Sequence, residues 1–224
     1  MTETLAHDEG EAAPVRRGGR PSRQEAERIR ERILDVATEL FLADGYGATS
    51  IESVAQRVHM SKRTFYHRFR DKADLFDAVV RRIIERLRPA DTSRLFDGGP
   101  LDDSLLRVAR IALHASLARD AIALQRLILS EAGRFPELAS IMTGEGSRRE
   151  AIDGIVMLLR REFAGLALDD ARFAAEHFLH MVVSLPQRRA LGLGPPMSED
   201  ERQVWAEDTV RLFLHGCRGW RAAG

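Results

Sequence analysis

Beyond residue 22, apolar residues recur at steps of three and four along most of the chain, and runs of alternating polarity are scarce. Such steps place side chains on one face of an α-helix, whereas a half-buried strand alternates with period two. The chain is therefore expected to be all-α. The first helix is expected from Arg23 to Asp44, with Ile29, Ile33, Leu34, Ala37, Leu40 and Phe41 on its apolar face and Gly45 closing its C-terminus. Thr49 and Glu52 are read as a capping box for a second helix whose buried stripe is Ile51, Val54, Ala55 and Val58. Ser61 caps a third helix running to Phe69, and Asp71 a fourth that turns Leu75, Phe76, Val79, Ile83 and Leu87 inward.

Residues 1–22 lack apolar periodicity and hold several glycines and prolines, so they are expected to form a disordered arm, acidic first and then basic at Arg16, Arg17 and Arg20. Pro89 disfavours helical geometry at Arg88 and opens a loop that reaches residue 100, which sets a domain boundary near residue 88. The domains are then 23–88 and 89–224. Later helices are expected at 101–118, 121–133, 136–165, 169–190 and 198–217, the third of these breaking at Gly144 or Gly146. Ser198 and Glu201 make a further capping box.

Charge narrows the possible partners. The chain carries 34 basic and 34 acidic residues, so no global field draws it to nucleic acid, and any such binding must come from a local patch. This balance also argues against a sequence-nonspecific architectural DNA binder. No apolar run is long enough for a membrane span, and the N-terminus lacks a basic-then-apolar signal pattern. The single cysteine, Cys217, fits a reducing compartment, so a cytoplasmic location is expected. There is no Gly-rich phosphate loop, no Gly-x-Ser-x-Gly elbow and no ligand spacing specific for a metal, which leaves no cofactor, metal or catalytic residue to assign. The pair His177 and His180 beside Glu176 is too loose a pattern to count as a metal site.

A local patch does exist. Only His59 and Met60 separate the second helix from the cap of the third, and two short helices joined so tightly make a helix-turn-helix. At about 100° per residue, Phe65 and Phe69 face the core while Arg63 and His67 point away, flanked by Lys62, Tyr66, Thr64 and Arg68. Between Arg57 and Lys72 there are six Arg or Lys residues and one acid, Asp71. Such a patch releases counterions on meeting phosphates. Arg63 can donate twice to one guanine edge. Lys62, Thr64 and His67 are within reach of bases or phosphates, and the Tyr66 hydroxyl suits a phosphate. Thr49, Ser50, Ser61 and Lys72, at helix N-termini, are further expected contacts. Arg16, Arg17 and Arg20 are expected to enter a minor groove.

The stretch from Ile33 to Leu75 resembles the tetracycline-repressor (TetR) family, through Leu40-Phe41, Gly45-Tyr46, Ala48-Thr49, Ile51, Val54-Ala55, Ser61, Thr64, Tyr66, Phe69, Lys72 and Leu75 in this order and spacing. The arginine- and glycine-rich segment from Arg17 to Pro21 is also common before the first helix of such proteins. His59 departs from the pattern by standing where the family usually has a turn glycine, Arg63 stands where glycine is frequent, and Phe65 replaces a common leucine. The resemblance implies about nine helices, three of them for DNA binding and the rest for ligand binding and dimerisation. The segment from Leu124 to Leu138 is similar to one C-terminal domain type of that family.

By the same resemblance, the helices at 169–190 and 198–217 are expected to pair across a twofold axis, with Phe173, Met181, Trp205, Thr209, Leu212 and Phe213 at the interface. The alternative, that both stripes serve the chain's own core, stays open. A cavity among the middle helices is expected to use His114, Leu117, Gln125, Leu127, Met157, Leu158, His177 and Phe178 for a small hydrophobic effector. The function expected is a homodimeric repressor that binds a palindromic operator and is released when an effector moves the fourth helix; an activator of the same fold is the alternative.

Overall fold

Ten helices realise this periodicity in a computed structural model, which describes residues 23–88, 96, 99–143 and 146–219. They are α1 (Arg23–Asp44), α2 (Ile51–Arg57), α3 (Lys62–Tyr66), α4 (Lys72–Leu87), α5 (Leu101–Leu117), α6 (Arg119–Glu131), α7 (Pro136–Thr143), α8 (Gly146–Glu162), α9 (Leu168–Ala190) and α10 (Glu199–Gly219). The described residues contain no strand. The span expected over 136–165, with a break at Gly144 or Gly146, is divided into α7, which ends at Thr143, and α8, which begins at Gly146.

The N-terminal elements begin and end for local reasons. Gly45, at φ +90°, turns the chain after α1. The cap of α2 is Ser50 and not Thr49: the Ser50 hydroxyl accepts from Ser53 N at 3.0 Å, and the Ser53 hydroxyl accepts from Ser50 N at 3.1 Å. Thr49 is claimed by the preceding turn. Its backbone N–H and its hydroxyl both donate to the Gly45 carbonyl, and the side chain is buried. Ser61 caps α3 by accepting from Thr64 N. The third helix is shorter than expected, closing at His67, yet Phe65 and Phe69 are both buried as the angular sorting requires. α4 stops at Leu87 because Arg88 takes an extended ψ of 132°, as a residue before proline should. The Ser198–Glu201 box ahead of α10 is formed in both directions.

Two cores result. The first joins α1 to α4 through Ile33, Phe41, Val54, Phe65, Leu75 and Phe76, and extends past residue 88 to take in Leu124 and Leu127 of α6 and Leu138 of α7. The second lies among α5, α8, α9 and α10, around Leu105, Ile155, Leu158, Phe178, Val182 and Phe213. The helix-turn-helix therefore rests on α6 and α7, and α4 is common ground between the halves.

Candidate nucleic-acid interface

The turn between α2 and α3 is made by His59 at φ +56°, the single non-glycine with positive φ among the described residues. Histidine tolerates this region better than most residues, so the turn survives without the expected glycine. Phe65, fully buried, and Phe69 anchor α3 from below, and Arg30 lies 5.4 Å from the Phe69 ring centroid. Lys62, Arg63, Thr64, Tyr66 and His67 are exposed, and Tyr66 is 49% exposed although its ring meets the Phe65 ring edge-on. The structure thus gathers these side chains on one open face.

Several neighbours temper that face. Lys62 pairs with Glu52 of α2 at 2.9 Å, and the hydrogen bond from Lys62 holds the Glu52 carboxyl below its usual range. The hydroxyls of Ser61 and Thr64 lie 2.8 Å apart, so the cap also orients Thr64. Arg68 turns away and donates to the Ala26 carbonyl of α1.

Two expected phosphate contacts are corrected. Thr49 is 3% exposed and already bonded within its turn. The Lys72 ammonium donates to the Tyr46 carbonyl at 2.9 Å and lies 4.3 Å from the Tyr46 ring centroid, so it is committed to the protein. Ser50 remains partly exposed at the start of α2. Arg16, Arg17 and Arg20 lie outside the described residues.

The turn that leads into α2 is held by residues that sequence reasoning missed. Glu131 accepts from Tyr46 N and Gly47 N, both at 2.7 Å, and the Tyr46 hydroxyl donates to Glu137 at 3.1 Å. Burial and then the Glu137 carboxylate push the Tyr46 phenol above its usual range. These partners are 84 to 91 residues apart in the chain, so no local spacing connects them.

A cavity of about 460 Å³ opens between α4, α5, α6, α8 and α9. Its walls are mostly apolar, with Ile84, Leu87, Ile111, Leu124, Leu179 and Val183 among them, and Ser116, Gln125 and Gln187 add polar groups. Of the expected effector contacts, Gln125 alone lines it. Leu127 belongs to the first core, Leu158 and Phe178 to the second, and Leu117 packs against the second. His114, Met157 and His177 are exposed, and the His177 ring packs at a tilt on Phe173 with centroids 3.9 Å apart. His180 is exposed as well.

The expected dimer stripe divides in the same way. Phe173 and Leu212 are 50% and 65% exposed, and Met181 is partly buried. Thr209 and Phe213 are buried, the Phe213 ring against Phe178 with centroids 4.9 Å apart. Trp205 donates from Nε1 to the Val182 carbonyl within the chain. Thr209, Phe213 and the Trp205 indole N–H thus serve this chain's own packing. The Cys217 side chain lies outside the described residues.

Residues 33–79 match the family described as bacterial regulatory proteins, tetR family, and residues 103–216 match the C-terminal domain of AefR-like transcriptional repressors. The chain is 30% identical over 185 residues to the DNA-binding transcriptional repressor TetR of Mycobacteroides abscessus, covering 82% of this chain and 78% of that one. It is 35% identical over 85 residues to the transcriptional activator FasR of Mycolicibacterium smegmatis, 37% of each chain. Among solved structures, the flavonoid-responsive regulator FrrA shares 31% identity at a TM-score of 0.69, covering 85% of this chain and 97% of the other. The chain spans 28% to 62% of the length of several other curated relatives that it matches.

Proposed function

The chain belongs to the TetR family of bacterial regulatory proteins and is a DNA-binding transcriptional regulator; from that premise we propose that it is a homodimeric repressor whose α3 reads the major groove and whose DNA affinity is lowered by a small apolar effector. The observation that carries the DNA-reading part is the sorting of α3, with Phe65 and Phe69 buried and Lys62, Arg63, Thr64, Tyr66 and His67 on the opposite, open side. Arg63 reads a guanine edge, Tyr66 and Lys62 take phosphates, and Thr64 and His67 touch base edges or backbone. Ser50 and Ser61 approach the phosphates flanking the groove. The arm with Arg16, Arg17 and Arg20 follows the adjacent minor groove, and the site of action is the cytoplasm.

Two-fold pairing of α9 and α10 spaces the two α3 helices about one DNA turn apart. Phe173, Met181 and Leu212 supply apolar surface for it. The effector occupies the cavity beside α4, with Gln125 as a polar anchor: its Oε1 is buried and receives no hydrogen bond from the described residues. FrrA, by its name responsive to flavonoids, makes a small molecule of mixed aromatic and hydroxyl character a sensible first trial. Because Ile83, Ile84 and Leu87 line the cavity while Leu75 and Phe76 sit under the helix-turn-helix, displacement of α4 alters both.

The test is selection of duplexes from a random pool by the purified full chain at moderate salt, followed by mapping of the selected site in its genome. A palindromic motif overlapping a promoter, with transcription from it rising when the gene is deleted, supports the reading. Transcription that falls on deletion turns the assignment to an activator, as FasR is named. If no duplex is preferred over random DNA, the proposal fails.

A further inference from the structure

We infer that Glu131 is a positioning residue for DNA reading: from the end of α6 its carboxylate fixes the α1–α2 turn, and so carries movement of the cavity wall to the helix-turn-helix. The second half of this statement rests on the effector reading above.

The turn is built around that carboxylate. Its two oxygens accept from consecutive backbone N–H groups, Tyr46 and Gly47, at 2.7 Å each. A carboxylate on adjacent amides makes two charge-assisted bonds in a fixed geometry. Both flanking glycines make room for it. A Cβ at Gly47 would lie 3.0 Å from one Glu131 oxygen and 3.3 Å from the Phe135 ring, and at Gly45 2.5 Å from the other oxygen. The Tyr46–Gly47 peptide group is also pinned from its carbonyl side, where the Lys72 ammonium donates to the Tyr46 oxygen. The Tyr46 ring is wedged among Phe41, Phe76 and Phe135, with centroids 5.8, 5.2 and 5.0 Å away. A short path then leads to the reading helix: Thr49 N bonds back to the Gly45 carbonyl, Ser50 caps α2, and α3 follows α2 across the His59 turn.

The middle of the same helix forms part of the cavity wall. Leu124 and Gln125 of α6 line the cavity, and Glu131 follows Gln125 by six residues, about 9 Å along a continuous helix. A group that engages Gln125 or pushes on Leu124 moves α6 as a body, and the carboxylate at its end takes the turn with it. This route differs from displacement of α4, because it acts on the entry to α2. Coupling of this kind is a claim about two arrangements of one element, and so must be measured as an energetic linkage between sites.

The test uses the full-length dimer and a duplex selected by the parent protein. Glu131→Gln keeps the shape but leaves one oxygen to accept. Gly47→Ala keeps the charge but crowds the carboxylate. Leu159→Ala, deep in the second core, provides a control for lost stability alone. Ala115→Phe fills the cavity from α5 as a stand-in for an occupant. Glu131→Gln and Gly47→Ala are each expected to weaken binding to the selected duplex by about tenfold, leave random-duplex binding unchanged, and speed amide exchange at Tyr46 and Gly47. Leu159→Ala should do neither. Ala115→Phe should weaken selected-duplex binding in the parent and add little in the Glu131→Gln background. Selected-duplex affinity unchanged in Glu131→Gln and Gly47→Ala, or lost equally in Leu159→Ala, overturns the positioning role. Penalties of Ala115→Phe and Glu131→Gln that multiply overturn the transmission. An Ala115→Phe protein that binds like the parent would sink the effector reading and the transmission with it, while the Glu131→Gln comparison still decides positioning.

Discussion

His59 holds a φ of +56° in the two-residue connection between α2 and α3. A non-glycine residue in this region costs roughly 1–2 kcal/mol, because its Cβ crowds the carbonyl oxygen. His59→Gly should therefore raise stability in denaturant melts by about 0.5–1 kcal/mol and leave the binding face in place. Tyr46 gives a second test at this scale. Its phenol holds its proton more tightly in the folded protein, through burial and the bond to Glu137. That contribution is complete below the ordinary phenol pKa of about 10 and is lost as pH climbs beyond it. Tyr46→Phe should cost about 1 kcal/mol near neutral pH and make the alkaline fall in melting temperature shallower. Arg63 and Tyr66 separate readout from anchoring. Arg63→Ala should relax base preference at one position of the selected motif, whereas Tyr66→Phe should weaken binding by about 1 kcal/mol with the preference intact. Equal binding by all three proteins to every duplex would refute both roles.

α3 has five residues and is too short to persist in isolation. Its shape is imposed by Phe65 and Phe69 below, the Ser61 cap ahead, and α2 beside it. The Glu52–Lys62 pair then bears on binding more than on stability, since an exposed ion pair contributes little to folding. Removing the acid frees one cation next to the groove. Glu52→Gln should strengthen binding to all duplexes, and in a salt titration its log–log slope should be steeper by roughly one. An unchanged slope would mean that Lys62 does not meet phosphate.

The charged residues of the whole molecule cancel in sum, so at this scale assembly turns on how the helices are partnered. α9 and α10 put Phe173 and Leu212 in solvent while their other faces close the second core. Leu212→Asp should yield a folded monomer by sedimentation, with operator binding weakened far more than by any single base contact. A dimer that survives this change and the same change at Phe173 would place the twofold axis elsewhere.

How much of this was legible in the chain depends on distance along it. Helix spans, the Ser198–Glu201 box and the inward turn of Phe65 and Phe69 follow from neighbours within about one helical turn and can be read in order, whereas the turn at His59 came from the resemblance to the family pattern. Even there, two adjacent hydroxyls left the α2 cap ambiguous, and the buried turn decided for Ser50 over Thr49. Periodicity also marks a stripe as apolar without saying which apolar surface it meets. Phe178, Leu158 and Phe213 therefore went into a core where an effector or a partner had been expected. The Glu131 contacts and the capture of Lys72 by Tyr46 join positions 26 to 85 residues apart, and only the packing of α6 and α7 against α1 and α4 brings them together. Short-range sterics and capping act within a turn of the chain; charge pairing across it waits for the folded arrangement.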